Sequence, residues 1–542
     1  MRRSKLLLWA LCALSVLLLS LPWLVPRAGT LVLVAFVPLL CADAIAEQYR
    51  LRAAWLYPAA VFTAWNAATT FWVCNATVGG GIFAILANAA QMLLVWLLFR
   101  LAKKRLGGVL PYVFLAAMWI AWERRYFFAE VSWPWLTLGG AFAQSTRTVQ
   151  WYEYTGMLGG SLWAWTVNLG IYGLLVAVAD GRWQHWRGRM RACASLGIVA
   201  AVAGPLLASK FIGDAWRERS EGTVEVVIGQ PNFDPYEKFS SMSQAEQTAV
   251  LLEEFSRALE NRPAGRPVLL LAPETFTGGL FLDRAEDDPT VCAMRAFLAA
   301  HPGAELLFGA STYETFATRA APSLLARPFG AGWILSHNSA VLAPAAGPLE
   351  FYHKSKLVLG TELTPWPRIF VPLDDWLSEK LGVPGLMGRC AGQDGVSLLH
   401  FGPERVPLGC AVCYESIYGE HCAEYVRAGA QALTVITNDA WWGDTPGYRQ
   451  HLNYARLRAI ELRRDIARCG NTGISCFIDQ RGDIVSRTDW WTRGTLSGEV
   501  RLSSGQTAFV RHGDIVGRVC TLVFLLLAAV LLVRLLLPSG RR

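Results

Sequence analysis

The stretch P-V-L-L-L-A-P-E-T, residues 267–275, decides the fold of the larger part of this chain. A run of consecutive large apolar residues closed by proline is too short for a helix. It lacks the apolar/polar alternation of a strand with one wet face, so it fits a strand covered on both sides. Working outward, similar runs recur as T-V-E-V-V-I-G (223–229), E-L-L-F-G-A (305–310), N-S-A-V-L-A (338–343), V-P-L-G-C-A-V-C (406–413), A-L-T-V-I-T (432–437) and I-S-C-F-I-D (474–479). Amphipathic helical stretches near 243–261, 289–300, 417–428 and 448–465 alternate with them. This alternation predicts a layered α/β domain, and roughly 300 residues suffice for one large core.

Hydrophobic segments enclose that block on both sides. The 542-residue chain is 53% hydrophobic with 23 Trp and only 17% charged. About eight stretches approach the ~20 apolar residues that cross a bilayer core. They lie near 6–25, 30–46, 55–75, 81–101, 108–127, 160–179, 192–210 and 519–537, the second interrupted by Asp43. The expected organisation is a membrane domain over 1–210, a catalytic domain over 211–515, and a last span with its tail over 516–542. The opening Met1-Arg-Arg-Ser-Lys looks like the start of a signal peptide, but the apolar run behind it is long and no clear small-x-small site follows, so a retained anchor is expected.

Cations set the orientation. Arg2, Arg3 and Lys5, then Arg50 and Arg52, then Arg100, Lys103, Lys104 and Arg105, then Arg182, Arg187, Arg189 and Arg191, and finally Arg541 and Arg542 fall on alternate turns of an eight-span chain. That pattern predicts cytoplasmic termini and a block 211–515 on the opposite face, with Arg124 and Arg125 as the main exceptions. The formal charge of +8 mostly reflects this topology. No basic cluster marks one soluble face, so a nucleic-acid partner is not expected.

Three segments of the block carry candidate chemistry: L-L-L-A-P-E-T with Glu274, F-Y-H-K-S-K-L with Lys354, and L-G-C-A-V-C-Y-E with Cys413. A thiol becomes a good nucleophile when a carboxylate takes its proton, and an ammonium stabilises the oxyanion that follows. Such a set runs acyl transfer without metal or cofactor, and neither is expected here. Each residue alone has an ordinary reading: a helix-start or surface glutamate, a solvated lysine with Lys356 as competitor, a buried structural thiol. Glu274, Cys413 and Asn438-Asp439 each follow an apolar strand, where α/β sheets gather function. The loops around 360–395 and 441–447, rich in Trp, Pro and Gly, are expected to fold over the site.

Cys410-Ala-Val-Cys413 also matches C-x-x-C, a redox or metal pattern. The first cysteine lies inside an apolar run rather than at a helix start, and strand alternation points residues three apart to opposite faces. A second compact Cys or Cys/His pair for zinc is missing, and His421-Cys422 is expected to pack on the following helix. Seven of the twelve cysteines lie in the block, an odd number that leaves at least one unpaired within the chain.

In this order the three segments resemble the carbon–nitrogen hydrolase (nitrilase) superfamily, whose catalytic set is Glu, Lys and Cys. With membrane spans on both sides, the chain is similar to the integral-membrane branch, the apolipoprotein N-acyltransferases. S-W-P-W-L (132–136), N-D-A-W-W-G-D (438–444), H-L-N-Y-A-R-L-R-A-I-E-L (451–462) and G-N-T-G-I-S-C-F-I-D-Q-R-G (470–482) extend the likeness over nearly the whole chain. It implies an α-β-β-α sandwich, selects Lys354 over Lys356, and makes Cys413 the nucleophile. Tyr414 and Glu415 would line the site, Glu362 would match an additional glutamate of the family, and Trp441 and Trp442 would support substrate. Ala272 stands where the family often has Trp, and V-L-G-T-E where it often has V-P-F-G-E.

The resemblance further implies a phospholipid acyl donor, a diacylglyceryl lipoprotein acceptor and a monomer in a bacterial inner membrane, its catalytic domain periplasmic. Two other readings stand beside it. One is a tethered amidase or nitrilase with water as acceptor. The other is a transporter or receptor that binds lipid or peptide through an inactive enzyme fold.

Overall fold

The computed structural model describes residues 2–537 apart from 239, 261, 264 and 384. Arg541 and Arg542 lie outside the described residues. The chain forms two compact units, Met1–Trp216 with His512–Arg542, and Arg217–Arg511.

In the first unit each expected span contains a helix. Among the described residues, six stretches are long and apolar enough to cross a membrane: Lys5–Leu24, Gly29–Gln48, Val78–Arg105, Met157–Ala179, Gly188–Ala215 and Ile515–Leu536. The helices Leu56–Thr70 and Leu110–Tyr126 have 15 and 17 residues. At 1.5 Å per residue they reach about 23 and 26 Å, short of a ~30 Å bilayer core.

The second span is not one helix. A 3₁₀ turn at Gly29–Leu33 gives way to an α-helix only at Val37–Gln48. The break leaves backbone groups without helical partners, and neighbouring helices supply them. Asn168 Oδ1 accepts from the Phe36 N–H (2.8 Å), Asn168 Nδ2 donates to Val32 O (2.8 Å), and Ser15 Oγ donates to Ala35 O (2.6 Å). Irregular backbone at membrane depth persists only where it is satisfied in this way. Phe36 stacks on Trp165 with ring centroids 4.4 Å apart and meets Trp119 edge-on at 5.2 Å. Asp43 stays buried because Trp96 Nε1 and Lys103 Nζ donate to it at 3.2 and 2.6 Å and Arg100 pairs with it at 3.2 Å. Arg124, an exception to the charge pattern, pairs with Asp514 at 3.5 Å.

The second unit is built on two sheets. The first runs Gly494–Arg501, Thr223–Gln230, Val268–Leu271, Ala304–Phe316, Gly332–Ala343, Arg327–Phe329, with Thr277–Phe281 and Glu350–His353 added at its side. The second runs Ile484–Arg487, Cys476–Ile478, Ile466–Gly470, Ala432–Thr437, Val406–Val412, Leu399–Phe401. Val268–Leu271 is parallel to Thr223–Gln230 and Ala304–Phe316, and Val406–Val412 to Ala432–Thr437, whereas Glu350–His353 pairs antiparallel with Gly332–Ala343.

The run at 268–271 shows why both faces are covered. Leu269 and Leu271 share a core with Cys410, Val412 and Cys469 of the second sheet, while Val268 and Leu270 pack with Leu251, Phe255 and Leu298 of the outer helices. Each such leucine contributes about 1.5–3 kcal/mol by leaving water. Gln244–Leu259 and Pro289–Ala300 cover the first sheet; Ser243 and Glu246 start the former with a reciprocal capping box. Gly419–Arg427 and Pro446–Leu462 cover the second, completing the α-β-β-α sandwich that the resemblance implies.

The segment 360–395, expected as loop, contains the helix Pro367–Leu381. Pro367 is tolerated because the first helical N–H needs no partner. The helix is turned inside out. Asp374 is buried and accepts from the N–H groups of Leu386 and Met387 and from Arg389, whereas Ile369, Leu373 and Trp376 share an exposed face.

Candidate active site

Glu274 stands just past the strand Val268–Leu271, in a tight bend where Thr275 takes a left-handed φ of 46°. Gly309 on the adjacent strand makes room, since a Cβ there would lie 2.5 Å from the Glu274 Cα. The glutamate is only 7% exposed, and donors surround its carboxylate. Oε1 accepts from Asn338 Nδ2 (2.8 Å) and Lys354 Nζ (3.1 Å), and Oε2 accepts from the Asn438 N–H (3.1 Å).

Lys354 follows the strand Glu350–His353, its N–H donating to Asn338 O at 2.8 Å. Its side chain is fully buried, with Nζ 2.9 Å from Glu362 Oε1 as well as 3.1 Å from Glu274. Burial alone would favour the neutral amine, but Glu274 and Glu362 outweigh it and hold the ammonium well above the ordinary lysine range. Lys356 is only partly buried, its Nζ lying over the Tyr418 ring. Asn338 bridges the two glutamates, donating to Glu362 Oε1 at 2.6 Å as well as to Glu274.

Cys413 closes the strand Val406–Val412 with a left-handed φ of 53° and is 9% exposed. Burial and the charges of Glu274 and Asp439 push its thiol well up, against the pull of Lys354 and a bond from Thr437. At rest the sulfur is therefore a neutral thiol beside a carboxylate and an ammonium. Cys410 lies within the strand and is fully buried, its thiol pushed up to about 12 by burial. All twelve cysteines are unbonded to one another among the described residues.

Glu415 is fully buried. Its Oε1 accepts from Tyr352 OH (2.6 Å) and from the N–H groups of Ser355 (2.7 Å) and Lys356 (3.1 Å), and its Oε2 accepts from the Val412 N–H (2.8 Å). It therefore buckles the Cys413 turn to the Lys354 loop from behind. His421, expected only to pack, lies 3.2 Å from Glu415 Oε1. Burial would raise the Glu415 carboxyl, but His421 and the bonds from Tyr352 and Val412 hold it low. Tyr414 is buried edge-on to Tyr418, Trp441 meets Tyr236 edge-on at 5.5 Å, and Trp442 meets the His451 ring at 5.6 Å.

Behind Cys413 lies a group the motifs contain but do not announce. His451 Nδ1 is 2.9 Å from Asp439 Oδ1, Arg468 Nη2 donates to Asp439 Oδ2 at 2.5 Å, and His451 Nε2 is 2.9 Å from Cys413 O. The ligand atoms of Cys413, Asp439 and His451 lie within 4.8 Å of one another, a spacing a metal ion could bridge. The donor set does not fit one, because Arg468 already neutralises the carboxylate and both histidine nitrogens face protein oxygens.

Sequence reasoning also passed over Asn338 and Lys238. Lys238 is buried, donates to Thr275 O, and is lowered by burial to about 8 against the opposing charge of Glu274. An amide inside N-S-A-V-L-A and an arginine inside I-A-R-C-G (466–470) were the available signals, since polar groups in buried strands need partners.

Comparison with known proteins bears on both units. A family model described as carbon-nitrogen hydrolase matches residues 217–508, and one described as apolipoprotein N-acyltransferase N-terminal domain matches 8–170. The apolipoprotein N-acyltransferase of Chlorobaculum tepidum is 30% identical over 469 residues, covering 86% of this chain and 85% of the relative. That of Geobacter metallireducens is 26% identical over 525 residues, covering 94% and 93%. Among solved structures, Nit3 of Saccharomyces cerevisiae, a nitrilase-superfamily member, aligns with TM-score 0.35 and 15% identity over 55% of this chain and 96% of its own.

Proposed function

The chain belongs to the apolipoprotein N-acyltransferase family of the carbon–nitrogen hydrolases, and from that premise we propose that it N-acylates lipoproteins in two steps through Cys413. Glu274 takes the thiol proton as the sulfur attacks an ester carbonyl of a phospholipid. A carbon–sulfur bond forms, and Lys354 with a backbone N–H near Tyr414 meets the oxyanion. The ester carbon–oxygen bond breaks, the lysophospholipid leaves with the proton from Glu274, and a thioester remains. The α-amine of a diacylglyceryl-cysteine lipoprotein then attacks that carbonyl. The carbon–sulfur bond breaks, an amide forms, and the amine's proton returns through Glu274 to sulfur.

The observation that carries this reading is the buried Lys354, paired with both Glu274 and Glu362 in the same pocket of charge as the buried Cys413 thiol. A neutral thiol needs a base at the moment of attack, and Glu274 is held as an acceptor by three donors. Glu362 keeps the ammonium in place. The Trp-rich loops of the sandwich hold the acyl chain and limit water, which would otherwise waste the thioester. Alternating basic loops support a multi-pass protein of the cytoplasmic membrane with its catalytic unit on the outer face.

Mass spectrometry after incubation with a phospholipid of known acyl chains tests the reading. A hydroxylamine-labile acyl mass is expected on the Cys413 peptide, lost in Cys413→Ser and kept in Cys410→Ser. Free fatty acid as the sole product, with no transfer to an amine acceptor, would support the hydrolase instead.

A further inference from the structure

The three-residue group behind the nucleophile has a use of its own. His451, on the helix Pro446–Leu462, is completely buried, and oxygens face both its ring nitrogens. Nε2 lies 2.9 Å from Cys413 O, a carbonyl that can only accept, and 3.0 Å from Ser416 Oγ, whose hydroxyl itself donates to that carbonyl at 2.8 Å. Nδ1 lies 2.9 Å from Asp439 Oδ1. Burial would raise the Asp439 carboxyl, but Arg468 and His451 hold it well below the usual range, so it too is an acceptor. Thr437 Oγ1 donates to the same carboxylate oxygen at 2.7 Å. Arg468 Nη2 stands 3.4 Å from Nδ1, more distant than the carboxylate. Two acceptors on two sides call for two N–H groups.

We infer that His451 is an imidazolium that positions the nucleophile, clamping the Cys413 carbonyl in its left-handed turn and lending the buried sulfur a nearby positive charge. With Asp439 and Arg468 it forms a group of net charge +1, in which a His451 nitrogen and an Asp439 oxygen come within 4.8 Å of the thiol. A Cys–His–Asp set otherwise suggests a general base, but here Nε2 is committed to the cysteine's backbone, which leaves the proton transfer to Glu274. His451 is thus a positioning residue. The inference rests on Cys413 being the nucleophile.

The test uses the full chain in detergent with a phospholipid donor and a diacylglyceryl-peptide acceptor. His451→Gln keeps a donor for the carbonyl and loses the charge; His451→Leu loses both. In His451→Gln, alkylation of Cys413 by iodoacetamide at pH 7.5 should slow about tenfold, the effect of one pKa unit on the thiolate fraction. kcat should fall by a similar factor with KM unchanged, and His451→Leu should lose more of both. Nitrogen-15 spectra of histidine-labelled protein should show both His451 nitrogens protonated, the resonance assigned by its loss in His451→Gln. Transfer at background in His451→Gln would make the residue a base and overturn the assignment, as would an unprotonated nitrogen in wild type or unchanged alkylation in a folded His451→Gln. Full transfer by Cys413→Ser would instead overturn the nucleophile while leaving the nitrogen spectra readable.

Discussion

Both units hide an interruption of regular backbone, and they stabilise it by opposite means. In the first unit the second span breaks at residues 34–36, and neutral groups, the amide of Asn168 and the hydroxyl of Ser15, satisfy the freed N–H and carbonyls. In the second, the chain bends at Cys413, and ionic groups hold the bend: Glu415 takes the Val412 N–H and His451 faces the Cys413 carbonyl. A buried charge is tolerated only when paired and hydrogen-bonded. The sandwich supplies those partners through His421, Asp439 and Arg468. Where only a shape is needed, dipoles suffice; at the proposed nucleophile, where attack would develop charge, the protein has kept charges.

The comparison can be broken most completely at the reactive bend. Cys413→Ala should reduce acyl transfer by roughly 10^4-fold or more, as loss of a covalent nucleophile does, while the midpoint of thermal unfolding in detergent stays near wild type. Glu415→Gln comes next. It leaves four donors facing a neutral amide and uncouples the Cys413 turn from the Lys354 loop. Displacement of the reacting groups by about 1 Å is enough for a ~10²-fold loss of kcat, which steady-state assays would read.

The membrane break should respond in stability alone. Asn168→Leu strands the Phe36 N–H and the Val32 carbonyl at a cost of about 1–3 kcal/mol each. Unfolding should begin at lower temperature while turnover per folded molecule is kept; a selective loss of kcat would show that the break serves the chemistry as well. The smallest effect concerns acid. The folded Asp439 carboxyl is held below its unfolded value, so its stabilising contribution is present above the ordinary aspartate range and is lost as pH falls through the folded value. The gap in thermal stability between wild type and Asp439→Asn should therefore be widest at neutral pH and narrow below about pH 4. A gap that widens in acid would reverse that sign.

Much of this was legible in the chain, for identifiable reasons. The runs at 268–271, 406–412 and 432–437 are long, apolar and sharply bounded, so both covered faces could be read from composition. Short strands such as Arg327–Phe329 and Leu399–Phe401 carry too few residues to show a period. The helix Pro367–Leu381 was hidden because its prolines read as breakers and its apolar face points outward. Glu274, Lys354 and Cys413 stood in motifs, and the structure brings their side chains into one electrostatic neighbourhood. Asn338 and the facing of His451 toward Cys413 were not legible, because each depends on contacts across tens of residues that no local pattern encodes.

The resting state of Cys413 bears on how long such an enzyme lasts. Peroxides and disulfides react with thiolates, and the burial and Glu274 charge that push this thiol up disfavour that form. The other buried cysteines of the sandwich, Cys410, Cys422, Cys469 and Cys476, are raised in the same way by burial. Burial thus leaves the sulfur of the sandwich core unattractive to oxidants without a partner thiol to protect it.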